Sequence, residues 1–207
     1  MYENIVIGVK NRVLQFFARY APGSTTLRVW LHRMRGVSIG ADSFIGTDVL
    51  IDTAMPHKVA IGKGVVIGIR SIIIAHLDGL IMMKDEHEMK RISVIIEDDV
   101  FIGPGVTLTN DIHPGCPDAV ECMEGPRIKK GAQIGANTCI LPRVVIGENA
   151  VIGAGSVVTK DIPPRVVAYG NPAQVVCDIG DIVCTTGLRD KPYCHIIGRI
   201  EDAHTIS

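Results

Sequence analysis

The sequence has few aromatic residues, and its charges nearly cancel. Aromatic residues make up 4% of the 207-residue chain, whereas glycine alone occurs 22 times. This composition fits a solenoid filled by stacked aliphatic side chains better than a globular core built around large rings. The net charge of −1 gives no indication of a nucleic acid or an acidic substrate as partner.

Signals for export, membrane insertion and metal binding are also missing from the sequence. The six cysteines include no C-x-x-C pair, and the apolar residues 5–9 are too few for a signal peptide. No stretch approaches the about eighteen apolar residues of a membrane span. We therefore expect a cytoplasmic protein with reduced thiols. Cys177, Cys184 and Cys194 match no established zinc spacing, so no metal is expected.

An aliphatic residue recurs at every sixth position between residues 128 and 163. The repeated residues are Ile128, Ile134, Ile140, Ile146, Ile152 and Val158. A period of six fits neither a helix nor a simple alternating strand, but it is typical of hexapeptide β-helices. Blocks that begin at Ile39, Ile61 and Ile96 have the same spacing. The sequence therefore predicts an all-β fold, a left-handed parallel β-helix or prism, with every sixth side chain pointing inward.

The glycines follow the same repeat. Gly occupies the position after eight of the inward residues, and we expect these glycines to supply the positive φ of tight corners. They are Gly40, Gly46, Gly62, Gly68, Gly103, Gly135, Gly147 and Gly153.

The repeat divides the chain into three parts. Residues 1–36 precede it and contain two predicted helices, separated at Pro22-Gly23. Residues 37–176 form the prism, interrupted by loops 79–95 and 114–127. Three six-residue repeats make one coil of the prism. Both loops follow the third repeat of a coil, so they leave the prism at the same corner. Residues 177–207 form a C-terminal extension.

The N-terminal segment combines apolar and basic residues. It has eight apolar residues from Ile5 to Phe17, and six lysines or arginines but one acid before Gly36. One interpretation is a helical cap over the open end of the prism. The alternative is a basic amphipathic helix that rests peripherally on an anionic membrane.

Several polar residues occupy matching positions in successive coils and are therefore expected at one corner of the prism. His76 and Asp111 both occupy the sixteenth position of successive 18-residue coils. Because stacked strands lie about 4.8 Å apart, Asp111 is expected directly over His76, close to Asn110 and His113. Asp111 could then orient either imidazole. This cluster is the best candidate site in the chain.

Three stretches resemble the hexapeptide-repeat acyltransferases: IEDDVFIGPGVTLTNDIHP at residues 96–114, the repeat at residues 128–164, and YGNPAQVV at residues 169–176. The closest groups are sugar O-acetyltransferases of the galactoside and maltose type and N-acetyltransferases of nucleotide-linked amino sugars. The resemblance covers residues 37–176. It implies acetyl-CoA as co-substrate and a homotrimer with active sites between neighbouring subunits.

The resemblance also suggests site residues on the acceptor side. His113 is followed by Pro114, like the catalytic histidine of galactoside-type enzymes, and would be the general base for a sugar hydroxyl. His76, within IIIAH, is the second candidate, because short polysaccharide acetyltransferases share that sequence motif. Asn110 and Asp111, within LTND, resemble the amino-sugar enzymes and would bind the acceptor.

On the donor side, four positions match the family's acetyl-CoA site. The backbone at Ala136 and Ala154 would meet the pantetheine arm, while Thr159 and Lys160 would lie near the adenine and phosphates. The family's motif GNPA usually continues with arginine, but Gln174 stands there in this chain. One expected phosphate contact is therefore missing.

The leading hypothesis is an acetyl-CoA-dependent acetyltransferase that acts on a sugar hydroxyl in surface polysaccharide biosynthesis. The first alternative is N-acetylation of a nucleotide-linked amino sugar. More remote alternatives are a γ-type carbonic anhydrase, which could draw on His76, His87 and His113, and a non-catalytic scaffold. The carbonic anhydrase would require another histidine on the next coil, and residues 128–145 contain none.

Overall fold

The computed structural model describes residues 5–76, 94–113, 116, 118 and 122–193. Two helices come first, α1 (Ile5–Tyr20) and α2 (Leu27–Met34). Seventeen short strands follow: β1 (Ser38–Ile39), β2 (Phe44–Ile45), β3 (Leu50–Ile51), β4 (Val59–Ile61), β5 (Val66–Ile67), β6 (Ile72–Ile73), β7 (Val94–Ile96), β8 (Phe101–Ile102), β9 (Thr107–Leu108), β10 (Arg127–Ile128), β11 (Gln133–Ile134), β12 (Cys139–Ile140), β13 (Val145–Ile146), β14 (Val151–Ile152), β15 (Val157–Val158), β16 (Val166–Gly170) and β17 (Ala173–Asp178).

The strands stack into three parallel sheets, which are the faces of a prism. The first face is β1-β4-β7-β10-β13, the second β2-β5-β8-β11-β14-β16-β17, and the third β3-β6-β9-β12-β15. Inward residues of successive coils pair with one another, as Ile134 does with Ile102 and Ile152. The prediction of an all-β, left-handed parallel β-helix with N-terminal helices is confirmed.

The inward aliphatic residues form one continuous core. Each of the five coils contributes three of them, and all are buried. Stacked identical side chains repeat the same packing at every coil, so a six-residue period is sufficient to build the interior. Among the strands that the structure describes, only β17 departs from the parallel order, because it folds back antiparallel to β16.

The glycines after the inward residues serve a different purpose from the predicted one. A positive φ occurs three residues after an inward position, for example at Asp42 (φ 57°) and Asn137 (φ 56°). The glycines themselves lie where coils approach closely: a Cβ on Gly68 would be 2.5 Å from the backbone nitrogen of Pro104. Space for the next coil, rather than backbone conformation, therefore requires glycine at this position.

The element boundaries differ slightly from the predicted divisions. Strand β7 begins at Val94, inside the predicted loop 79–95, and β17 continues to Asp178, beyond the predicted end of the prism. Most of the first loop, and parts of the second loop and the tail, lie outside the described residues.

Both helices lie against the first coil of the prism. Gln15 Nε2 donates to the carbonyl oxygen of Val49, and Arg28 Nη1 donates to that of Ile45. However, α1 contacts the prism through a small and polar face, whereas its apolar residues point away. None of the described helices is both long and apolar enough to cross a membrane.

Candidate active site

An aspartate that sequence reasoning missed holds the ring of His76. His76 lies three residues after the inward Ile73, and its Nδ1 is 2.6 Å from Oδ2 of Asp52. Asp52 follows strand β3 on the preceding coil and is 0% exposed. The same carboxylate accepts backbone N–H groups from Ala54, Met55 and Ala75, at 2.9, 2.7 and 2.6 Å. Four donors therefore surround this buried acid.

These donors keep Asp52 ionised. Burial raises the pKa of Asp52, but the hydrogen bonds from His76, Met55 and Ala75 outweigh burial, and the pKa lies below its ordinary value. An ionised carboxylate at Nδ1 favours the tautomer with its proton on Nδ1, which leaves the basic lone pair on Nε2. The side chain of His76 is 12% exposed. The arrangement suits an imidazole that exchanges a proton through Nε2.

Asn110 fixes the main chain of His76 from the next coil. Its side chain is 2% exposed, and Nδ2 donates to the carbonyl oxygen of His76 at 3.1 Å. Asn110 and Asp52 therefore hold His76 from opposite sides along the prism axis. The prediction that Asn110 belongs to this corner corresponds to a direct contact, although the contact is to the backbone of His76.

Asp111 and His113 occupy the outer part of the same corner. Oδ1 of Asp111 accepts the backbone N–H of His113 at 2.9 Å, so this carboxylate shapes the turn that presents His113. His113 is exposed. Asp111 was expected to stack on His76, but the carboxylate found 2.6 Å from Nδ1 of His76 is that of Asp52, on the coil below.

A second buried network joins the helices to Asp52. The guanidinium of Arg35 donates to the carbonyl oxygens of Ile51, at 2.8 Å, and of Asp52, and it also contacts Gln15 and His32. Burial lowers the pKa of Arg35 to about 10. The group therefore stays charged near neutral pH and supports the segment that carries Asp52.

His32 lies at the centre of this network and is neutral. Its side chain is fully buried, with Nδ1 3.0 Å from Nη1 of Arg35. Nε2 has no hydrogen-bond partner among the described residues. Burial, together with the positive charges of Arg35 and Arg28, lowers the pKa of His32 to about 3. A proton on this ring would place an uncompensated charge beside two arginines.

The four predicted donor residues border the third face of the prism. Ala136 and Ala154 follow β11 and β14 at one corner, and a Cβ on Gly135 would be 2.4 Å from the nitrogen of Ala154. Thr159 and Lys160 are exposed and follow β15 at the other corner of that face. His76 and Asn110 follow β6 and β9, which also belong to the third face. A long ligand along this face could contact all of these groups.

Comparison with known proteins agrees with the fold. The family described as "Bacterial transferase hexapeptide (six repeats)" matches residues 125–160. YvoF of Bacillus subtilis (strain 168), provisionally named an acetyltransferase, is 30% identical over 169 residues, which cover 81% of this chain and 76% of YvoF. This chain belongs to the hexapeptide-repeat acyltransferase family.

Two further relatives carry specific names. The galactoside O-acetyltransferase of Escherichia coli (strain K12) is 44% identical over 105 residues, 49% of this chain and 48% of the relative. The chain thus spans about half the length of the first curated relatives that it matches. A solved galactoside acetyltransferase in complex with coenzyme A superposes with a TM-score of 0.68 at 27% identity, covering 87% of this chain and 84% of that one. N-acetyltransferases of nucleotide sugars are also among the relatives.

Within this hexapeptide-repeat chain, Asp52 could have been found from the repeat itself. The residue after the inward position of the third face is Asp52, Ile74, Thr109, Leu141 or Thr159 on successive coils. An acid at an otherwise uncharged, partly covered position is unusual and requires partners. Asp52 lies one coil below, in register with Ile74, which is two residues before His76.

No metal centre is formed by the residues that the structure describes. In those ranges, no three histidine, cysteine, aspartate or glutamate side chains are close enough together to hold an ion. His87, which the carbonic anhydrase alternative would use, lies outside the described residues. The described cysteines are free thiols: Cys116, Cys122, Cys139, Cys177 and Cys184.

Proposed function

We propose that this protein transfers the acetyl group of acetyl-CoA to a sugar hydroxyl. The observation that carries the proposal is the Asp52–His76 pair, a buried carboxylate 2.6 Å from a partly exposed imidazole at the edge of the third face. A hydroxyl is a weak nucleophile, and an oriented imidazole is the group best suited to take its proton near neutral pH. Relatedness to galactoside O-acetyltransferases supports the same reaction.

In the proposed reaction, Nε2 of His76 takes the proton of the sugar hydroxyl while the oxygen attacks the thioester carbon. The tetrahedral intermediate then collapses, the C–S bond breaks, and the imidazolium returns its proton to the departing sulfur. The products are an O-acetyl sugar and coenzyme A with a free thiol. Asp52 stabilises the transient positive charge on the ring and keeps the ring oriented.

His113 is the second imidazole of the proposed site. Its position before Pro114 favours it as the base by resemblance, whereas the anchoring of His76 by Asp52 favours His76. We assign proton removal to His76, and we assign contact with the acceptor to His113, Asn110 and Asp111. Replacing each histidine separately tests this assignment.

The proposed donor site extends along the third face. Small residues at Ala136 and Ala154 would let the pantetheine arm approach the backbone closely. Thr159 and Lys160 would meet the adenine and phosphate end, where Gln174 offers no charge. We further propose a homotrimer, in which a neighbouring subunit covers the third face and completes the site. Light scattering of the purified protein would test the trimer.

Replacing Lys160 with alanine tests the donor site. Loss of one charge-assisted phosphate contact is expected to raise KM for acetyl-CoA about tenfold and to change kcat little. Steady-state kinetics with varied acetyl-CoA measure both constants. Lys63→Ala is the matched control, since Lys63 is also exposed but follows β4, away from the third face. An unchanged KM in Lys160→Ala would contradict this placement of the phosphates.

The acceptor class is tested by release of free thiol from acetyl-CoA. One panel contains sugars with hydroxyl groups only, and a second contains nucleotide-linked amino sugars. We expect release with the hydroxyl panel. Wild-type protein and His113→Ala are compared, and a loss of about 10²-fold or more in His113→Ala would transfer the role of base from His76 to His113.

N-acetylation of a nucleotide-linked amino sugar is the second candidate. The wording LTND, which contains Asn110 and Asp111, and the nucleotide-sugar N-acetyltransferases among the relatives favour it. An amine can lose its proton in solution before binding, so it depends less on a base. Thiol release only with the amino-sugar panel, little changed in His113→Ala, would establish this candidate.

We place the reaction in the cytoplasm and in surface polysaccharide biosynthesis. Saccharide units for such polymers can be presented on lipid carriers, which would bring the acceptor to a membrane surface. Acetylation of a lipid-linked saccharide in preference to the free sugar would support this placement. Equal rates with the lipid-linked saccharide and the free sugar would contradict the placement in polysaccharide biosynthesis, but not the proposed acetyl transfer.

A further inference from the structure

Helix α1 packs onto the prism through its small and polar residues, and its large apolar residues lie on the opposite face. Its buried residues are small or polar: Gly8, Asn11, Gln15 and Ala18. Its large apolar residues are exposed to solvent, including Ile5 at 82% and Phe16 at 64%. We name seven of them, which share one side of the helix, the apolar stripe: Ile5, Val6, Val9, Val13, Phe16, Phe17 and Tyr20. Ile7, 51% exposed, lies outside it. A water-facing stripe of this size is a binding surface.

The stripe is continuous and bordered by positive charge. At about 100° per residue its members fall within an arc of about 120°. Lys10 lies at one border of this arc, and Arg12 and Arg19 lie at the other. Of these cations, Arg19 is paired with Asp48 of the first coil. An apolar arc bordered by basic side chains is typical of helices that lie in the plane of a membrane interface.

Helix α2 enlarges the surface. Trp30 and Leu27 are exposed on it, and a groove of about 510 Å³ runs between the helices. The groove is lined by apolar side chains, among them Phe17, Tyr20 and Leu31. Aromatic residues of this kind are enriched where protein meets the lipid headgroup region.

Charge decides between the possible occupants. Residues 5–34 contain no aspartate or glutamate, whereas Lys10 and Arg33 are exposed cations. A second copy of the helix on the stripe would bring like charges together without acids on either helix to pair with them. Anionic lipid headgroups, in contrast, would neutralise these cations. The surface is therefore complementary to an anionic membrane.

We propose that α1 lies in the headgroup layer of an anionic lipid surface, with the apolar stripe immersed and the prism in the water. The proposal rests on the faces of α1 and does not require the acetyl transfer. If both hold, the lipid surface is where this protein meets a lipid-linked acceptor.

Flotation of the full chain with vesicles tests the proposal. One set of vesicles contains phosphatidylcholine with 30% phosphatidylglycerol, and the other contains phosphatidylcholine alone, a comparison chosen for its charge. At low salt we expect the protein to float with the anionic set and stay in solution with the neutral set. The double variant Phe16→Ser, Phe17→Ser is expected to lose binding at least tenfold. Leu188→Ser, which replaces a residue 86% exposed in the tail, is expected to bind like wild type.

Charge reversal provides the second comparison. Lys10→Glu is expected to weaken binding to anionic vesicles about tenfold, whereas Lys63→Glu on the prism leaves it unchanged. Wild-type protein that stays in solution with both vesicle sets would overturn the proposal. Loss of oligomers in the double phenylalanine variant, without vesicle binding by wild type, would assign the stripe to contacts between copies instead. Because no acetyl-CoA is present, neither result bears on the acetyl transfer.

Discussion

Asp52→Asn is expected to lower the rate of acetyl transfer by about 10²-fold or more, because it removes the charge that orients and stabilises the base. The amide has nearly the same shape as the carboxylate. However, it can present an N–H group to Nδ1 of His76, which would favour the proton on Nε2 and remove the basic lone pair from the reacting side. Thiol release at saturating acetyl-CoA measures the change.

A purely structural role for Asp52 would give a different pattern. Asp52 also accepts three backbone N–H groups, so the melting temperature of the variant must be measured alongside its rate. In a His76→Ala background, Asp52→Asn is expected to cause little further loss, because both changes disable the same pair. Asp48→Asn is the matched control, since Asp48 is an acid of the same coil that pairs with Arg19 instead. Full activity in Asp52→Asn, or losses that multiply in the double variant, would contradict the proposed role.

His32→Asn is expected to make the protein resist acid better. The pKa of His32 is lowered to about 3 in the folded protein, from 6.5. Below about pH 6.5 the unfolded chain therefore binds a proton at His32, whereas the folded chain does not. The contribution of neutral His32 to the free energy of unfolding is complete above pH 6.5 and declines as the pH falls towards 3. From His32 alone, the free energy of unfolding should be smaller by about 2 kcal/mol at pH 4 than at pH 6.

Asparagine at position 32 removes the titrating ring but retains an acceptor for Arg35. Urea denaturation of both proteins at pH 6 and pH 4 measures the effect. Asp52 titrates in the same direction, because its pKa is also lowered, so both proteins should lose stability in acid. The variant should lose less by about 2 kcal/mol. An equal loss in the two proteins would show that His32 accepts a proton without cost, against its complete burial.

The two predictions concern connected parts of the molecule. Arg35 contacts His32 on one side and donates to the carbonyl oxygens of Ile51 and Asp52 on the other. The packing of α1 and α2 on the first coil therefore supports the segment that carries Asp52. A proton on His32, which the folded protein accepts only near pH 3, would disturb this support.

The sequence alone determined the prism. The six-residue period determines which strands pair, because each coil packs on another coil with the same pattern. The strand register follows from this repeat. The same phase placed His76 and Asn110 at one corner, and the structure has the two residues in contact there. Local periodicity is sufficient for these features because the interactions that stabilise a solenoid are between neighbouring coils.

Only the tertiary structure decided which carboxylate meets His76. Phase counting favoured Asp111, but that side chain turns to the backbone of His113, while Asp52 is held beneath His76 by backbone donors on both coils. The orientation of α1 was likewise not determined by its amphipathic pattern. Gln15 donates to the carbonyl oxygen of Val49 on the first coil, and Asn11 and Ala18 are buried on the same face of α1, so the apolar stripe is left exposed.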